Sequence, residues 1–450
     1  MMSATQLRKT ILDLLIRVEK DSGFSHLLLH KEISAKKLNP KDEALLTQIV
    51  YGTLERKLTL DYYLEGFVDQ KKKPEVWVQI LLRMSVYQMV YLDKIPDHAI
   101  IHEAVEITKE RSHKGIQSFV NGVLRNVQRK GVPDLANIKD ATERLSIETS
   151  HPLWLVEHWI DSYGFETTEA ICQANLAEKP IAVRVQPLKI SREQAIQQLE
   201  SQGFSVQPSA LSEQGLIIEK GNILNSDLFH DGMITIQDQS SMLVGELLKA
   251  ESGMTVLDSC SAPGGKATHI AEKMGDKGTI HAHDLHKKKV SLITEKAKNL
   301  GLSIIEAEHG DARKLQEIYE KASFDRILVD APCTGLGVIG SKPEIKYEKT
   351  AEDIENLQKI QLDILHSVAG LLKSDGLMIY STCTVVPEEN EEVVKQFLEM
   401  NPNFAVDADF FNELPAELDH SQGVTEYGLQ LFPQTHQTDG FFLTRLKKIN

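Results

Sequence analysis

Two cysteines follow apolar runs of the chain, where their thiols could take part in chemistry. Cys333 lies in the segment 324–337 (FDRILVDAPCTGLG), three residues after Asp330, and Cys383 lies near the end of 376–384 (GLMIYSTCT). A cysteine inside an apolar strand is most often a small core residue. Two cysteines placed just past such runs, together with a carboxylate, instead indicate one reactive site to which two strands each deliver a thiol.

A glycine-containing turn lies upstream, in the segment 256–266 (VLDSCSAPGGK). A predicted strand runs into this turn and a predicted helix follows it. Gly264 and Gly265 would let a ligand approach the backbone, and the start of the helix would offer free N–H groups to an anion. The turn is neither GxGxxG nor a Walker loop, which disfavours a dinucleotide or a nucleotide phosphate. Cys260 is expected to line this pocket through its backbone, and Cys172 is predicted to be a core residue.

Two further carboxylates follow the next predicted strands. Asp284 ends a strand about 20 residues after the turn, where a carboxylate in such folds receives ribose hydroxyls. Asp311 comes after the third strand and could meet an adenine edge. Either residue alone is more often a helix N-cap than a ligand. As a set at successive strand ends, they predict a pocket for an adenosine-containing cofactor without a pyrophosphate, a description that S-adenosylmethionine fits.

A thiolate beside a sulfonium methyl donor is the chemistry that methylation of cytosine C5 requires. C5 is too poor a nucleophile to take a methyl group directly, whereas addition of a thiolate at C6 makes C5 enamine-like. Covalent catalysis thereby divides one difficult step into easier ones. A carboxyl group at N3 would stabilise the charge that develops on the ring.

The elements that must position these residues fall into four predicted segments. Residues 1–130 show helical periodicity throughout, and residues 131–150 are predicted to be a linker with a short helix at most. Residues 151–232 predict a small α/β unit. Residues 233–450 alternate strand and helix, which predicts a parallel, doubly wound sheet with ligands outside the carboxyl ends of its strands. The predicted strands of this last segment are Thr255–Asp258, Thr279–Asp284, Ser303–Glu308, Arg326–Asp330, Leu377–Ser381, Leu429–Pro433 and Phe441–Leu446.

The small α/β segment is predicted to contain a strand–helix–strand unit. Its strands are placed at Ile181–Val185 and Phe204–Val206, and Ser191 is expected to cap the helix between them, with Glu193 shortly after.

Composition excludes several classes of protein. The 450 residues carry a net charge of −15 and only four cysteines, none of them in a CxxC pair, which excludes a disulfide scaffold and a zinc ribbon. No run approaches the ~18 apolar residues of a membrane span, and the N-terminal residues do not resemble a secretory signal. A cytoplasmic protein is therefore expected. The charge is unevenly distributed, about +5 for residues 1–130 and about −20 for the rest, which allows a basic module to bind nucleic acid locally.

Three motifs resemble the signatures of the NOL/NOP/Sun family of RNA cytosine-C5 methyltransferases, namely 258–266 (DSCSAPGGK), 330–335 (DAPCTG) and 381–384 (STCT). The helical segment is similar to the antitermination factor NusB, notably at 102–109 (HEAVEITK) and 119–125 (FVNGVLR). This combination resembles the bacterial 16S rRNA cytosine-C5 methyltransferases. It implies an all-α NusB-like domain, a small α/β RNA-binding domain and a Rossmann-like class I S-adenosylmethionine-dependent methyltransferase domain.

The resemblance also implies roles for individual residues. Cys383, in the Thr-Cys motif, would be the nucleophile, and Cys333 would assist release of the methylated product, with Asp330 as a further catalytic residue. DNA cytosine methyltransferases use the Pro-Cys cysteine as their nucleophile, so this assignment depends on the family. The implied contacts to S-adenosylmethionine are Cys260, Ser261, Ala262, Pro263, Gly264, Gly265, Lys266, Asp284, Asp311 and Asp330.

The implied substrate is 16S rRNA or a precursor of the small ribosomal subunit, modified at cytosine 967. Relatives often carry two arginines where this chain has Gly340 and Ser341, and Lys342 and Lys346 are expected to replace them partly as phosphate contacts. Basic residues of the helical domain would add phosphate contacts. They are Arg56, Lys57, Lys71, Lys72, Lys73, Arg111, Lys114, Arg125, Arg129 and Lys130.

Two alternatives differ in substrate or class. The same chemistry could act on tRNA, which only a substrate assay separates from rRNA. An RNA-binding factor with a vestigial catalytic half is disfavoured, because such a protein would need neither Asp330 nor the two cysteines. No metal and no membrane partner is expected, and the predicted oligomeric state is a monomer.

Overall fold

The computed structural model describes residues 2–21, 25–69, 74–418 and 421–449. The chain divides into two compact units. The first comprises Met1–Leu176 with Ile339–Lys349, and the second comprises Ala177–Val338 with Thr350–Asn450. Three of the lysines expected to contact phosphates, Lys71, Lys72 and Lys73, lie outside the described residues.

The first unit is helical. Residues 1–130 were predicted to be so, whereas residues 151–176, which the sequence analysis places with the small α/β unit, also belong to this unit. Apolar residues at helical spacing, such as Ile11, Leu14, Leu15 and Val18, are buried in one core. Its helices are α1 Ala4–Asp21, α2 Ser25–Lys36, α3 Pro40–Glu55, α4 Lys57–Glu65, α5 Val76–Tyr91, α6 Asp97–Arg111, α7 Lys114–Lys130, α8 Ala141–Thr149, α9 Leu153–Tyr163 and α10 Phe165–Ala174.

Helix α7 has one apolar face and one basic face. Its buried residues Val120, Val123, Leu124 and Val127 recur at the spacing of a single helix face. The rest of the helix contains no acidic residue, and its four basic side chains, Lys114, Arg125, Arg129 and Lys130, are exposed. An exposed row of this kind is suited to a phosphate backbone.

Residues 131–150 are more ordered than the predicted linker. They contain a 3₁₀ turn, Leu135–Asn137, and helix α8, which packs on α4. The Thr59 hydroxyl donates a hydrogen bond to the Ile147 carbonyl at 2.6 Å, and the Leu58 N–H donates to the Ser150 hydroxyl at 2.6 Å. These contacts make the segment part of the helical unit, because polar side chains of α4 and α8 satisfy each other's backbone.

The segment Ile339–Lys349 packs within the helical unit and contains a short helix, Ile345–Glu348. Glu344 accepts hydrogen bonds from the Ser25 N–H and hydroxyl at 2.9 Å and 2.9–3.0 Å. Lys346 is completely buried, and its Nζ donates to the Glu55 carbonyl at 2.9 Å and the Thr149 carbonyl at 3.5 Å. Burial lowers the pKa of Lys346 to about 7. The expectation that Lys346 contacts phosphate is therefore wrong. Lys342 is half-exposed, and its contact with phosphate stays a prediction.

The second unit begins with a small antiparallel sheet of order β2-β3-β1-β4. The Ser191 cap is confirmed. It forms a capping box with Gln194, three residues later, whose side chain accepts a hydrogen bond from the Ser191 N–H at 3.1 Å. Strands β3 and β4 were not predicted from the sequence. The elements are β1 Ile181–Val185, α11 Arg192–Ser201, β2 Ser205–Pro208, β3 Gly215–Lys220, α12 Asp227–His230 and β4 Ile234–Ile236.

A larger mixed sheet of order β11-β12-β13-β9-β8-β5-β6-β7 follows, with β10 paired to β13. Its strands are β5 Thr255–Asp258, β6 Thr279–Asp284, β7 Ile305–His309, β8 Phe324–Asp330, β9 Leu372–Thr382, β10 Phe404–Val406, β11 Val424–Thr425, β12 Gly428–Leu431 and β13 Phe441–Lys448. Its helices are α13 Gln239–Leu247, α14 Gly265–Lys273, α15 Lys287–Leu300, α16 Ala351–Ala369, α17 Glu391–Met400, α18 Ala408–Asn412 and α19 Pro433–His436.

The predicted parallel strands are confirmed, β5 and β6 with the same bounds. Pro433 was predicted to end a strand but lies in the first turn of α19, where proline's missing N–H has no cost. The five strands β5 to β9 run parallel to one another, whereas β13 is antiparallel to β9. The chain leaves β5 towards β6 on one side and returns to β8 on the other. This reversal of strand order opens a crevice at the carboxyl end of β5.

Within the described ranges, none of the helices combines the length and the apolar character that crossing a membrane requires. The same part of the chain holds no group of three or more His, Cys, Asp or Glu side chains arranged to bind a metal ion.

Candidate active site

Strands β8 and β9 bring the two cysteines together. Their parallel register sets Asp330 opposite Ser381, and the Ala331 N–H donates to the Ser381 carbonyl at 2.9 Å. Each cysteine comes within three residues of this pair. The Cys333 and Cys383 sulfurs lie 3.4 Å apart, and both residues are half-exposed. The sequence prediction that the thiols converge at one sheet edge is therefore met by the geometry.

Asp330 connects this pair to the glycine turn. Its Oδ2 accepts a hydrogen bond from Lys266 Nζ at 2.6 Å, and its Oδ1 accepts one from the Ser381 hydroxyl at 2.9 Å. Burial alone would lower the pKa of Lys266. The interactions with Asp330 and, more weakly, with Cys383 are larger in sum, so the net effect is a raised pKa. Lys266 is thus a cation that is hydrogen-bonded to the Asp330 carboxylate and interacts electrostatically with Cys383.

The turn after β5 is held by its own backbone and by α15. The Ser261 N–H donates to the His283 carbonyl at 2.7 Å, and the Gly264 N–H donates to the Ser261 carbonyl at 2.7 Å. Gly264 has φ +94°, and a Cβ there would lie 3.1 Å from the Cα of Ile293. A side chain at this position would be strained and would push the turn off α15.

Asp284 lies next to the same turn. Its Oδ2 accepts from the Ala262 N–H at 3.3 Å, and its Oδ1 accepts from the His286 N–H at 2.8 Å. The carboxylate is half-buried, so its remaining lone pairs are open to a ligand. This is the position that the sequence predicts for a ribose contact.

Several buried polar atoms at the end of β5 and in the turn make no hydrogen bond of good geometry among the described residues, although the Asp258 carboxylate lies near the Ser261 hydroxyl and the Cys260 N–H. They are both carboxylate oxygens of Asp258, which is buried, and the hydroxyl of Ser261. Burial raises the pKa of Asp258 to about 7, against a smaller lowering by the adjacent Ser261 side chain. The first N–H groups of α14 also lack acceptors within the helix. Buried polar groups are normally paired, so this turn fits a polar ligand that supplies partners.

Asp311 is engaged elsewhere. Its carboxylate caps the 3₁₀ helix Ala312–Glu317 and accepts hydrogen bonds from the Arg313 guanidinium at 2.9 Å and 2.7 Å. These bonds to Arg313 lower the pKa of Asp311. Its contact with a cofactor stays a prediction, since the bond to Arg313 would have to compete with a ligand.

The cysteine thiols of the chain differ in environment. Burial raises the pKa of Cys172 to about 12, and burial also raises the pKa of Cys260. Cys172 is completely buried, as the sequence predicts. The pKa of Cys333 is raised first by its hydrogen bond to Cys383 and next by burial.

Arg184 of β1 is a residue that the sequence analysis missed. It is completely buried and donates to the Gly265 carbonyl at 2.9 Å, to the Thr268 hydroxyl at 3.0 Å and to both oxygens of Glu272 at 2.8 Å. The small sheet thereby supports the turn directly. An arginine between valines in a short strand was the available signal, because such a residue is rarely buried without a partner.

Residues near the start and the end of the segment 233–450 also lie close together. Lys179 donates to both Asp238, at 2.7 Å, and Asp439. The Gly440 N–H donates to the Gly337 carbonyl at 2.8 Å, and the Gly337 N–H donates to the Cys383 carbonyl at 3.0 Å. The closing strand thus supports the loop that carries Cys383.

A parallel sheet with this strand order, a glycine turn after its first strand and a carboxylate after its second define a class I S-adenosylmethionine-dependent methyltransferase domain. Family models agree with this class. Residues 246–447 match 16S rRNA methyltransferase RsmB/F, residues 5–129 match the NusB family, and residues 151–224 match the RsmF/B-like ferredoxin-like domain.

Whole-chain comparisons extend the likeness to all three domains. A probable ribosomal RNA small subunit methyltransferase B of Bacillus subtilis (strain 168) is 47% identical over 447 residues, which cover 99% of this chain and 100% of that protein. The crystal structure of PH0851 is 26% identical, with a TM-score of 0.85 and 100% of both chains covered. A methyltransferase homolog protein from Pyrococcus horikoshii is 27% identical, with a TM-score of 0.59, and covers 69% of this chain and 100% of its own.

The chain belongs to the family of ribosomal RNA small subunit methyltransferases B. It is an rRNA methyltransferase with a NusB-like helical domain, a ferredoxin-like middle domain and an S-adenosylmethionine-dependent catalytic domain. The turn between Asp258 and Lys266 fits the methyl donor, because its buried polar atoms and helix N–H groups match an amino-acid group, and Asp284 can accept hydrogen bonds from ribose hydroxyls.

Proposed function

We propose that this enzyme methylates C5 of a cytosine in small-subunit rRNA, at the position equivalent to 967, through a covalent bond between Cys383 and C6. The observation that carries this proposal is the 3.4 Å approach of Cys333 and Cys383 beside the Asp330–Lys266 pair. Methylation of a ring nitrogen or a hydroxyl needs no thiol, so two adjacent cysteines at the catalytic edge favour C5 chemistry.

The proposed reaction is an addition to the cytosine ring, followed by methyl transfer and an elimination. The Cys383 thiolate adds to C6, and the electrons released into the ring make C5 nucleophilic. S-adenosylmethionine supplies the electrophilic methyl group that C5 takes. A base then removes the C5 proton, the C5–C6 double bond re-forms and the Cys383 thiolate leaves. We assign Cys333 to this last stage, in which it assists release of the product.

Asp330 is proposed to act on the ring and Lys266 to act on Asp330. A carboxyl group directed at N3 would stabilise the charge that develops there during attack. The Lys266 ammonium at 2.6 Å and the Ser381 hydroxyl at 2.9 Å hold this carboxyl group in place. Asp330 lies at the end of β8, beside the cofactor turn, and this agrees with its second proposed role as a cofactor contact.

The proposed cofactor contacts are those of the turn and the strand ends. The backbone of Cys260 to Lys266 would hold the amino-acid part of the methyl donor, and Asp284 its ribose. Asp311 is proposed for the adenine edge, where it would have to share its carboxylate with Arg313.

Replacing Asp284 by alanine is expected to weaken binding of S-adenosylmethionine by about 10- to 100-fold. Loss of hydrogen bonds to a charged group is worth about 1.5–3 kcal/mol. Calorimetric titration of the full chain with the methyl donor measures this effect. Binding of RNA by the same variant should be unchanged, and an equal loss of both affinities would indicate misfolding instead.

Asp276→Ala is a matched control for Asp284→Ala. Asp276 is also half-buried, and its carboxylate also accepts two backbone hydrogen bonds, from Ser303 at 2.8 Å and Ile304 at 3.2 Å. It is not among the proposed cofactor contacts. Its loss should lower stability without a change in affinity for the methyl donor, and equal weakening by both variants would remove Asp284 from the ribose site.

The basic face of α7 is proposed to bind rRNA phosphates. Replacing Arg125, Arg129 and Lys130 together by glutamine is expected to reduce the slope of log K against log salt. Each lost phosphate contact contributes about 0.7 to 0.9 to that slope. Filter binding of unmodified small-subunit rRNA at several salt concentrations measures it.

A charge-matched control uses three exposed lysines of the catalytic domain, Lys277, Lys321 and Lys359. Replacing them by glutamine changes the net charge by the same amount but should leave the slope nearly unchanged. An unaltered slope in the α7 variant, or equal changes in both, would remove α7 from RNA recognition.

The substrate is tested with unmodified small-subunit rRNA and unmodified tRNA in parallel. We expect 5-methylcytidine in the rRNA at the 967 equivalent, identified by mass spectrometry of nucleosides and bisulfite sequencing. Methylation of tRNA alone would favour the alternative substrate with the same chemistry. Any other methylated nucleoside in the rRNA would contradict the C5 proposal.

The predicted segments are retained as proposed functional domains. We assign RNA binding to residues 1–130 and 151–232 and catalysis to 233–450, whereas residues 131–150, predicted as the connection, pack within the helical unit through α8. The target base has to leave its stack to reach Cys383, which favours a loop or a hairpin in the rRNA over a continuous duplex.

A further inference from the structure

A buried carboxylate lies behind the loop that carries Cys333. Glu389 is completely buried, and its Oε2 accepts hydrogen bonds from the Thr334 N–H at 2.9 Å and from Gln361 Nε2 at 2.9 Å. The Thr334 hydroxyl donates to its Oε1. Gln361 Nε2 also donates to the Pro332 carbonyl at 3.0 Å. The residues on both sides of Cys333 are therefore held by one carboxylate and one amide.

The same network reaches the residue after Cys383. The hydroxyls of Thr334 and Thr384 lie 3.0 Å apart, and Asn390 Nδ2 donates to the Thr384 carbonyl at 3.1 Å. Glu389 and Asn390 thus fix the residues that follow each cysteine. This arrangement holds the two sulfurs in contact.

The charges around the two sulfurs are of opposite sign. The titratable groups that face Cys333 are Cys383, Glu389 and the buried Tyr380, whose hydroxyl donates to the Glu389 carbonyl at 2.6 Å. Lys266 instead interacts with Cys383. The pKa of Cys333 is raised first by its hydrogen bond to Cys383, next by burial, and then by the charges of Cys383 and Glu389. The Cys383 backbone N–H lowers it by less. Glu389 thus raises the pKa of Cys333, whereas Lys266, which is hydrogen-bonded to Asp330 at 2.6 Å, interacts electrostatically with Cys383.

We propose that Glu389 is a positioning residue that keeps Cys333 as a neutral thiol and so directs ionisation of the pair to Cys383. This inference rests on the proposed function, for which it explains why one cysteine attacks and the other does not. Only a thiolate is nucleophilic, so the thiol that keeps its proton cannot compete for C6. Cys333 then remains free of the substrate until the release stage.

The charge of Glu389, and not only its shape, is what the proposal needs. A glutamine at this position could accept from the Thr334 N–H and from Gln361 through its oxygen. Its NH₂ group could donate to the Thr334 hydroxyl, with one hydrogen bond reversed. Glu389→Gln therefore removes the negative charge while the network can persist.

The test measures the reaction of each cysteine with iodoacetamide between pH 6 and 10. The full chain is used without RNA or methyl donor, and peptides that contain Cys333 and Cys383 are quantified separately. In the wild type, the pH midpoint of Cys333 should lie above that of Cys383, and the reverse order would overturn the proposal without any variant. In Glu389→Gln, the Cys333 midpoint should fall by about one pH unit, which makes its reaction at pH 7.5 about tenfold faster.

Thr334→Val distinguishes an effect of the Glu389 charge from an effect of loosening the loop that carries Cys333. It removes the hydroxyl hydrogen bond but keeps the carboxylate, so Cys333 should react no faster at pH 7.5 than in the wild type. Equal acceleration in Thr334→Val and Glu389→Gln would assign the effect to a loosened loop and overturn the proposal. An unchanged Cys333 profile in Glu389→Gln would do the same.

Glu391→Gln is the matched control. This half-buried glutamate lies two residues further on and interacts with the Thr425 side chain instead of either cysteine loop. Both cysteine profiles should stay at their wild-type positions. Because the measurement needs no turnover, it is independent of the nucleoside assay. Absence of 5-methylcytidine would reject the proposed function, whereas an unshifted Cys333 profile would reject only the role of Glu389.

Discussion

Replacing Cys383 by alanine is expected to lower methyl transfer to small-subunit rRNA by at least about a thousandfold. Without the thiolate, C5 keeps the low nucleophilicity of an intact cytosine ring, and Cys333, which keeps its proton under the proposal, does not take over the addition at C6. Single-turnover transfer of a labelled methyl group to unmodified rRNA measures the loss. Binding of S-adenosylmethionine should be retained, since the proposed cofactor contacts are unaltered.

Cys172→Ala is the control for Cys383→Ala. Its thiol is completely buried and its pKa is raised to about 12, so it carries no charge at the pH of the assay. Activity should stay within a factor of about two of the wild type, as expected for a residue outside the catalytic site. Turnover retained in Cys383→Ala would mean that the nucleophile is misassigned.

Replacing Cys333 by alanine is expected to trap the enzyme on its substrate. The Cys383 thiolate can still add to C6 and C5 can still be methylated, but release of the product is impaired. A protein–RNA adduct should therefore survive denaturation and accumulate until most of the active enzyme is bound. Denaturing gels with labelled rRNA and S-adenosylmethionine measure the fraction in the adduct.

Two comparisons make the adduct experiment decisive. The double variant Cys333→Ala/Cys383→Ala should form no adduct, because the attacking thiol is gone. An adduct in Cys383→Ala and none in Cys333→Ala would reverse the roles and favour the order used by DNA cytosine methyltransferases. No adduct in either single variant, with the wild type active on another RNA, would mean that the substrate is wrong.

Regular elements could be predicted because their signals are local. The apolar runs of β5 and β6, the helical stripe at the start of α1 and the Ser191 cap each depend on neighbouring residues. Residues 131–150 were less clear, because α8 is stabilised by polar contacts with the distant α4. The short strands β10 and β11 were not predicted for a related reason, since edge strands of two or three residues carry little sequence pattern of their own.

The sequence by itself determined the family, through the resemblance of its three motifs. It also predicted that the thiols, Asp330 and the glycine turn lie together, because they follow predicted strands and the ends of parallel strands meet at one edge of a sheet. Only the tertiary structure decided which charged residues are available to a ligand. Lys346 proved buried against backbone carbonyls, and Asp311 is bound to Arg313. Glu389 proved to bind the Thr334 N–H next to Cys333 and to raise the pKa of that cysteine. The physical reason is that the state of a charged side chain depends on burial and on partners far away in sequence, which no local pattern encodes.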